Sequence, residues 1–241
     1  MEPLHHHRNF ITHFFSVKGD DGSHSGRTRH RGFSLVELLV VLAIMVIITT
    51  IALTSQSAFN KTLILANTAY DVALTLRSAE TYGLGNRVAG SVANAGYGID
   101  FQKATPGSFI LFADTSPQSS NSTACHPNPD PSAPNARPGN CVYDAGSGEK
   151  VTSYALGNGI TISDFCAYQL SVWSCASGGL SSLDIIFSRP NPDPFISVNG
   201  SYSTVSPVTR ACLTLSSPQG GSRFVSVGTS GEITANAASC P

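Results

Sequence analysis

Three sets of side chains in this sequence could do chemistry: six cysteines, seven histidines and one carboxylate set inside an apolar run. Histidine is the commonest general base near neutral pH and the commonest metal ligand. Here His5, His6, His7, His13, His24 and His30 all precede the apolar run, and only His126 comes after it. A Ser-His-Asp triad would have to recruit His126 from inside a Pro-rich loop, and the His5-His6-His7 triplet reads as part of a discarded leader. No catalytic group, metal site or cofactor motif is read, so the expectation is a chain that is not an enzyme.

The carboxylate is Glu37, the single charge in residues 33–53, FSLVELLVVLAIMVIITTIAL. As a helix those residues span about 30 Å, the thickness of a bilayer core. Burying a carboxylate there costs roughly 2.5–3.5 kcal/mol even on permissive scales, so Glu37 requires either a route to the headgroups or a cationic partner. Arg27, Arg29 and Arg31 stand just before the run and Lys61 is the first basic residue after it, which keeps the N-terminus cytoplasmic and exports the C-terminal domain.

The cysteines agree with export. Cys125, Cys141, Cys166, Cys175, Cys212 and Cys240 all lie beyond the run and form an even set, as in an oxidising compartment. Neighbours in sequence suggest Cys125 with Cys141, Cys166 with Cys175 and Cys212 with Cys240, although spacing alone leaves other pairings open. Without a C-x-x-C pair, zinc is the weaker reading. Charged residues make up 12% of the chain and the net charge is -1, so no basic footprint points to nucleic acid.

The segment Arg31-Gly32-Phe33-Ser34-Leu35-Val36-Glu37-Leu38-Leu39 resembles the N-terminal signal of type IV prepilins and type II secretion pseudopilins. The resemblance implies that a prepilin peptidase cuts after Gly32 and methylates the new amino terminus at Phe33. It also implies that Glu37 acts in assembly, by pairing with the Phe33 ammonium of a neighbouring pilin or pseudopilin subunit. An ordinary signal peptidase would instead cut behind the run, near Ser55-Gln56-Ser57, and would leave Glu37 unexplained. Many pilins carry a helix-breaking glycine or proline in the span; residues 35–79 contain neither, so a continuous helix is expected.

The helix must extend past the membrane. Phe59, Leu63, Ala66, Tyr70, Ala73 and Arg77 form one helical stripe and Leu65, Ala69, Val72 and Leu76 another beside it, with Lys61, Asp71 and Glu80 left for water. Gly83 and Gly85 read as its C-terminal stop, near residues 82–84. Short β-like runs come next at 97–101, 108–113, 151–156, 159–163, 183–188, 195–199, 211–215 and 224–228, with a closing hairpin that continues into Gly231-Glu232-Ile233-Thr234. Residues 114–144, rich in Ser, Pro, Asn and Gly, read as a long surface loop pinned by a disulfide, either a recognition loop or a decoration.

The expected fold class is α+β, a long N-terminal helix packed on an antiparallel β-sheet domain. Its divisions are a cleaved cytoplasmic leader (1–32), a transmembrane helix half (33–54), an amphipathic stem (55–84) and an exported β-rich domain (90–241). The order of elements in that domain, with Gly98-Ile99-Asp100-Phe101 and Ser222-Arg223-Phe224-Val225, is similar to the H-type minor pseudopilins. Calcium on Asp184, Asn191 and Asp193 is the weaker reading beside a Pro-rich turn at Asn191 and Asp193, and Trp173 and Tyr168 read as packing around a disulfide. The glycosylation-like Asn121-Ser122-Thr123 and Asn199-Gly200-Ser201 carry no argument.

The resulting expectation is a structural subunit held in the cytoplasmic membrane by one span and later packed into a secretion pseudopilus or pilus-like filament. Its partners would be the prepilin peptidase, other pilin-like subunits and the membrane. The alternative is a membrane-anchored binding module that does not polymerise.

Overall fold

The computed structural model describes residues 32–85, 87–90, 92–93, 95–115, 125, 139–235 and 237–241. The expected leader up to Arg31, most of the 114–144 loop, His126 and Asn121-Ser122-Thr123 lie outside the described residues, as do the side chains of residues 55–59 and of Asn191. The chain divides into two compact units, residues 1–49 and 50–241.

Helix α1 runs over Leu35–Leu84, 50 residues, without the interruption that glycine or proline would impose. Its first part, Leu35–Thr54, has a mean hydropathy of 2.8, and none of its residues is buried within the molecule. The hydroxyls inside this stretch bond back to the helix: Thr49 Oγ1 donates to Met45 O at 2.8 Å and Thr54 Oγ1 to Thr50 O at 3.1 Å. A hydroxyl satisfied in this way can enter an apolar medium without an orphaned donor.

In the second unit the same helix becomes one-sided. Leu65, Ala69, Val72, Leu76 and Ala79 are buried in the main core, whereas Leu63 and Tyr70 are exposed. The second of the two expected stripes therefore faces the protein, joined by Ala73 from the first. Its alanines make the choice intelligible, since small side chains let a helix axis lie close to a sheet.

Gly83 extends that close approach. It lies inside the last turn of α1, and a Cβ placed on it would fall 2.0 Å from the Phe187 backbone oxygen. Its absent side chain thus serves packing against a strand rather than a C-cap, which corrects the reading of that glycine.

The strands, in chain order, are β1 (Val88–Ala89), β2 (Val92–Ala93), β3 (Gly96–Gln102), β4 (Ser108–Asp114), β5 (Lys150–Ala155), β6 (Thr161–Gln169) and β7 (Val172–Cys175). After a single 3-10 turn at Ala176–Gly178 come β8 (Ser182–Ser188), β9 (Asn191–Val198), β10 (Arg210–Ser216), β11 (Ser222–Val227) and β12 (Ile233–Ala235). One five-stranded sheet has the order β5-β4-β3-β8-β9, a second β12-β11-β10-β6-β7, and β1 pairs with β2. Their strand pairings are antiparallel, so the class is α+β with two large sheets.

Alternate residues of both sheets enter the same core as the helix: Ile99, Phe101, Leu183, Ile185 and Phe187 from the first, Phe165, Leu213, Leu215 and Val225 from the second. Two sequence expectations change. The 159–163 run is displaced and lengthened into β6, which pairs with both β10 and β7. The Pro-rich stretch at Asn191 and Asp193 is not a turn but the start of β9. That strand lies at the edge of its sheet, where a proline without an N–H is tolerated.

Substituting Gly83→Ala should lower the stability of the β-rich unit by about 1–3 kcal/mol, the usual cost of overpacking, or more if the helix end must shift. Thermal melting of the full chain in detergent would reveal it, and an unchanged midpoint would contradict the close-approach account.

Candidate functional site at the start of the helix

Gly32, Phe33 and Ser34 precede α1 and adopt no regular structure. Ser34 caps the helix: its Oγ accepts from Glu37 N at 3.1 Å, and its carbonyl oxygen accepts from Leu38 N at 3.2 Å. Ser-x-x-Glu is the sequence form of a capping box, and an acidic group in the first turn also suits the positive end of the helix dipole. The Glu37 carboxylate therefore has a local reason to be near a helix start.

That local reason does not account for its surroundings. Phe33 is 82% exposed, and Leu35, Val36, Leu38, Leu39 and Val40 are exposed around Glu37. The apolar surface encircles the helix rather than forming a stripe, as expected of a segment whose solvent is lipid or other helices. Gly32 carries a different message: it is exposed, and a Cβ there would meet nothing within 4 Å. Among the described residues, no packing involves a side chain at that position.

The cysteines lie in the β-rich unit, where the structure joins Cys125 to Cys141, Cys166 to Cys175 and Cys212 to Cys240. Cys166 and Cys175 face each other across β6 and β7, and Cys212 stands on β10 opposite Cys166. Carboxylates approach two of these bridges, Asp114 beside Cys125 and Cys141 and Asp164 beside Cys166 and Cys175. Sulfurs committed to a disulfide are not thiolate ligands, and Asp164 instead accepts from Ser177 N at 3.1 Å and Ser177 Oγ at 2.7 Å.

Several described residues of the 114–144 loop are buried. Cys125, Cys141 and Asp114 are buried, and the two cysteines share an apolar cluster with Phe112 and Ile186, on the sheet face turned away from the main core. The residues set aside above as a calcium site do not gather. Asp184 is buried on β8 opposite Ser197, while Asp193 is exposed four residues back along β9, roughly 13 Å at strand rise. Trp173 does pack on Tyr168, ring centres 5.1 Å apart, across the β6–β7 pair.

Sequence reasoning missed a row of buried carboxyls on that same face. Asp100, Asp114, Glu149 and Asp184 are all nearly inaccessible. The local signal is the alternation in Ile99-Asp100-Phe101 and Leu183-Asp184-Ile185, which describes a solvent-facing acid equally well.

Comparison with known proteins bears on the helix start. Residues 27–53 match the family described as the prokaryotic N-terminal methylation motif. No curated protein and no solved structure matches the chain. The motif, with the apolar helix that carries it, supports a type IV pilin-like or pseudopilin precursor, the kind of chain processed by a prepilin peptidase and assembled with other pilin subunits. A single-pass, membrane-anchored protein fits the same two observations, and they favour a structural subunit over an enzyme.

Replacing both Cys125 and Cys141 by serine should destabilise the β-rich unit by about 2–4 kcal/mol, the usual contribution of a native bridge. Denaturant unfolding of the full chain under oxidising conditions would measure it. A midpoint equal to wild type would show that the bridge does not hold the loop ends.

Proposed function

We propose that this chain is a minor subunit of a type II secretion pseudopilus or a related type IV pilus-like filament. Residues 1–32 are a cytoplasmic leader, residues 33–54 cross the inner membrane, residues 55–84 form the stem, and the β-rich domain at 90–241 is exported. A prepilin peptidase removes the leader after Gly32 and methylates Phe33. The observation that carries this reading is one charge, Glu37, in an apolar helix surface that nothing in the described structure covers.

The proposed chemistry comes from that charge. A carboxylate in lipid is costly, and so is an ammonium at the cut terminus; placed together between neighbouring helices they offset one another. Such a pair adds little net stability but penalises every register in which either charge is left alone. Glu37 then sets how far one helix slides along the next, while the apolar surface around it supplies non-directional packing.

Intact mass and N-terminal sequencing of the mature protein should give a chain beginning at a methylated Phe33. A terminus at Ser55 or later would overturn the proposal. Glu37→Ala should leave insertion and processing unchanged and reduce incorporation into filaments severalfold, as read by sedimentation of sheared filaments. A cysteine replacing Val40 should crosslink between subunits; processed, inserted chains that never crosslink would favour the tethered module that does not polymerise.

A further inference from the structure

The loop end at residues 139–144 lies on the outer face of the β5-β4-β3-β8-β9 sheet in an unusual way. The N–H groups of five consecutive residues go to side-chain oxygens. Asn140 N and Cys141 N donate to the two oxygens of Asp114 at 2.9 and 2.7 Å, and Val142 N donates to Asn140 Oδ1 at 3.0 Å. Tyr143 N donates to Asp184, and Asp144 N to Glu149 Oε2 at 2.8 Å. Ser197 Oγ on β9 donates to the Cys141 carbonyl. The segment is a strap fastened by buried carboxyls.

Beneath it the register sets two acids against each other. Asp100 on β3 pairs directly with Asp184 on β8, and opposite residues of neighbouring strands share a face. Both are almost fully buried, and two carboxylates side by side, being acceptors only, repel each other unless a proton lies between them. Asp184 Oδ1 is buried with no hydrogen-bond partner, so a negative charge on that oxygen would be uncompensated.

The groups facing this pair are Gln102 on β3, whose Nε2 donates to Asp100 Oδ2 at 2.9 Å, Asp114 on β4 and Ser197 on β9. From the strap side come Tyr143, Asp144 and Glu149, and Tyr202 lies over Phe195. None of these is cationic.

We infer that the strap is a proton-linked clasp: the shared proton of Asp100 and Asp184 holds residues 139–144 on the sheet, and its loss releases them. Burial raises both acids of the pair above the usual carboxylate range, Asp100 to about 6, with Asp184 raised further by the neighbouring Asp100 charge. In the opened strap these groups meet water and return to ordinary values near 4. The closed form therefore binds protons that the open form releases. Its advantage is complete below about pH 4 and is lost as pH rises through about 6. A falling pH fastens the strap and a rising pH loosens it.

Hydrogen exchange of the full chain in detergent micelles, read by mass spectrometry on peptides covering residues 139–149, tests this. After correction for intrinsic exchange, the strap's opening constant should rise between about pH 5.5 and about pH 8.5, by up to about tenfold per pH unit for each proton released. Asp184→Asn keeps a hydrogen-bonding partner for Asp100 and removes the titration, so it should flatten that dependence; Asp100→Asn serves if the first variant does not fold. A pH-independent opening constant in the wild type, or an unchanged slope in the folded variant, would overturn the clasp. Protection abolished by EDTA at low pH, or restored at about pH 8.5 by added calcium, would also overturn it, by showing a cation where the proton is placed.

Discussion

Helix α1 must satisfy two solvents with one uninterrupted set of backbone hydrogen bonds. In lipid no water can reach a free N–H or C=O, so a continuous helix is the simplest solution for a single crossing segment. Over Leu35–Thr54 the side chains accordingly turn apolar surface in every direction, and the threonine hydroxyls are returned to the backbone. Beyond residue 64 the same backbone geometry serves another purpose, with Leu65, Ala69, Val72 and Leu76 pressed into a core and the opposite side left to water. The absence of glycine and proline from 35–79 allows both roles to share one element.

Glu37 stands at the point where this constraint is strictest. It has a local justification in the Ser34 cap and the helix dipole, so its presence does not break the helix. What it breaks is the uniformity of the surface around it. A carboxylate in such surroundings requires either a route to the headgroups or a cationic partner.

The β-rich unit is organised by another balance. Its main core is ordinary alternation, with Ile99, Phe101, Ile185 and Phe187 inward. On the reverse face Gly98 leaves the space that Ile186 and Phe112 fill, since a Cβ there would lie 2.7 Å from Ile186 Cγ1 and 3.0 Å from Phe112 Cε1. Beside that apolar row the acids Asp100 and Asp184 are covered by a strap that the Cys125–Cys141 bridge ties down. A polar segment can cover an otherwise half-exposed sheet if each of its N–H groups finds an oxygen, which the buried carboxyls provide.

Much of this is legible in residues 32–84, because membrane thickness, helix rise and the cost of a charge in lipid are properties of composition and order alone. The span, the end of α1 near Leu84 and most strands can be read from local pattern. Two things cannot. Which of two neighbouring helical stripes is buried depends on the sheet residues that meet it, and those arrive from more than a hundred positions away, as Phe187 does at Gly83. Likewise Asp184 alternates with Leu183 and Ile185 as any solvent-facing acid would. Only the pairing of β8 with β3, and the return of residues 139–144 over both, turns it into a buried partner of Asp100. Local order determines which face of a strand a residue occupies; what covers that face is decided by chain closure across long separations.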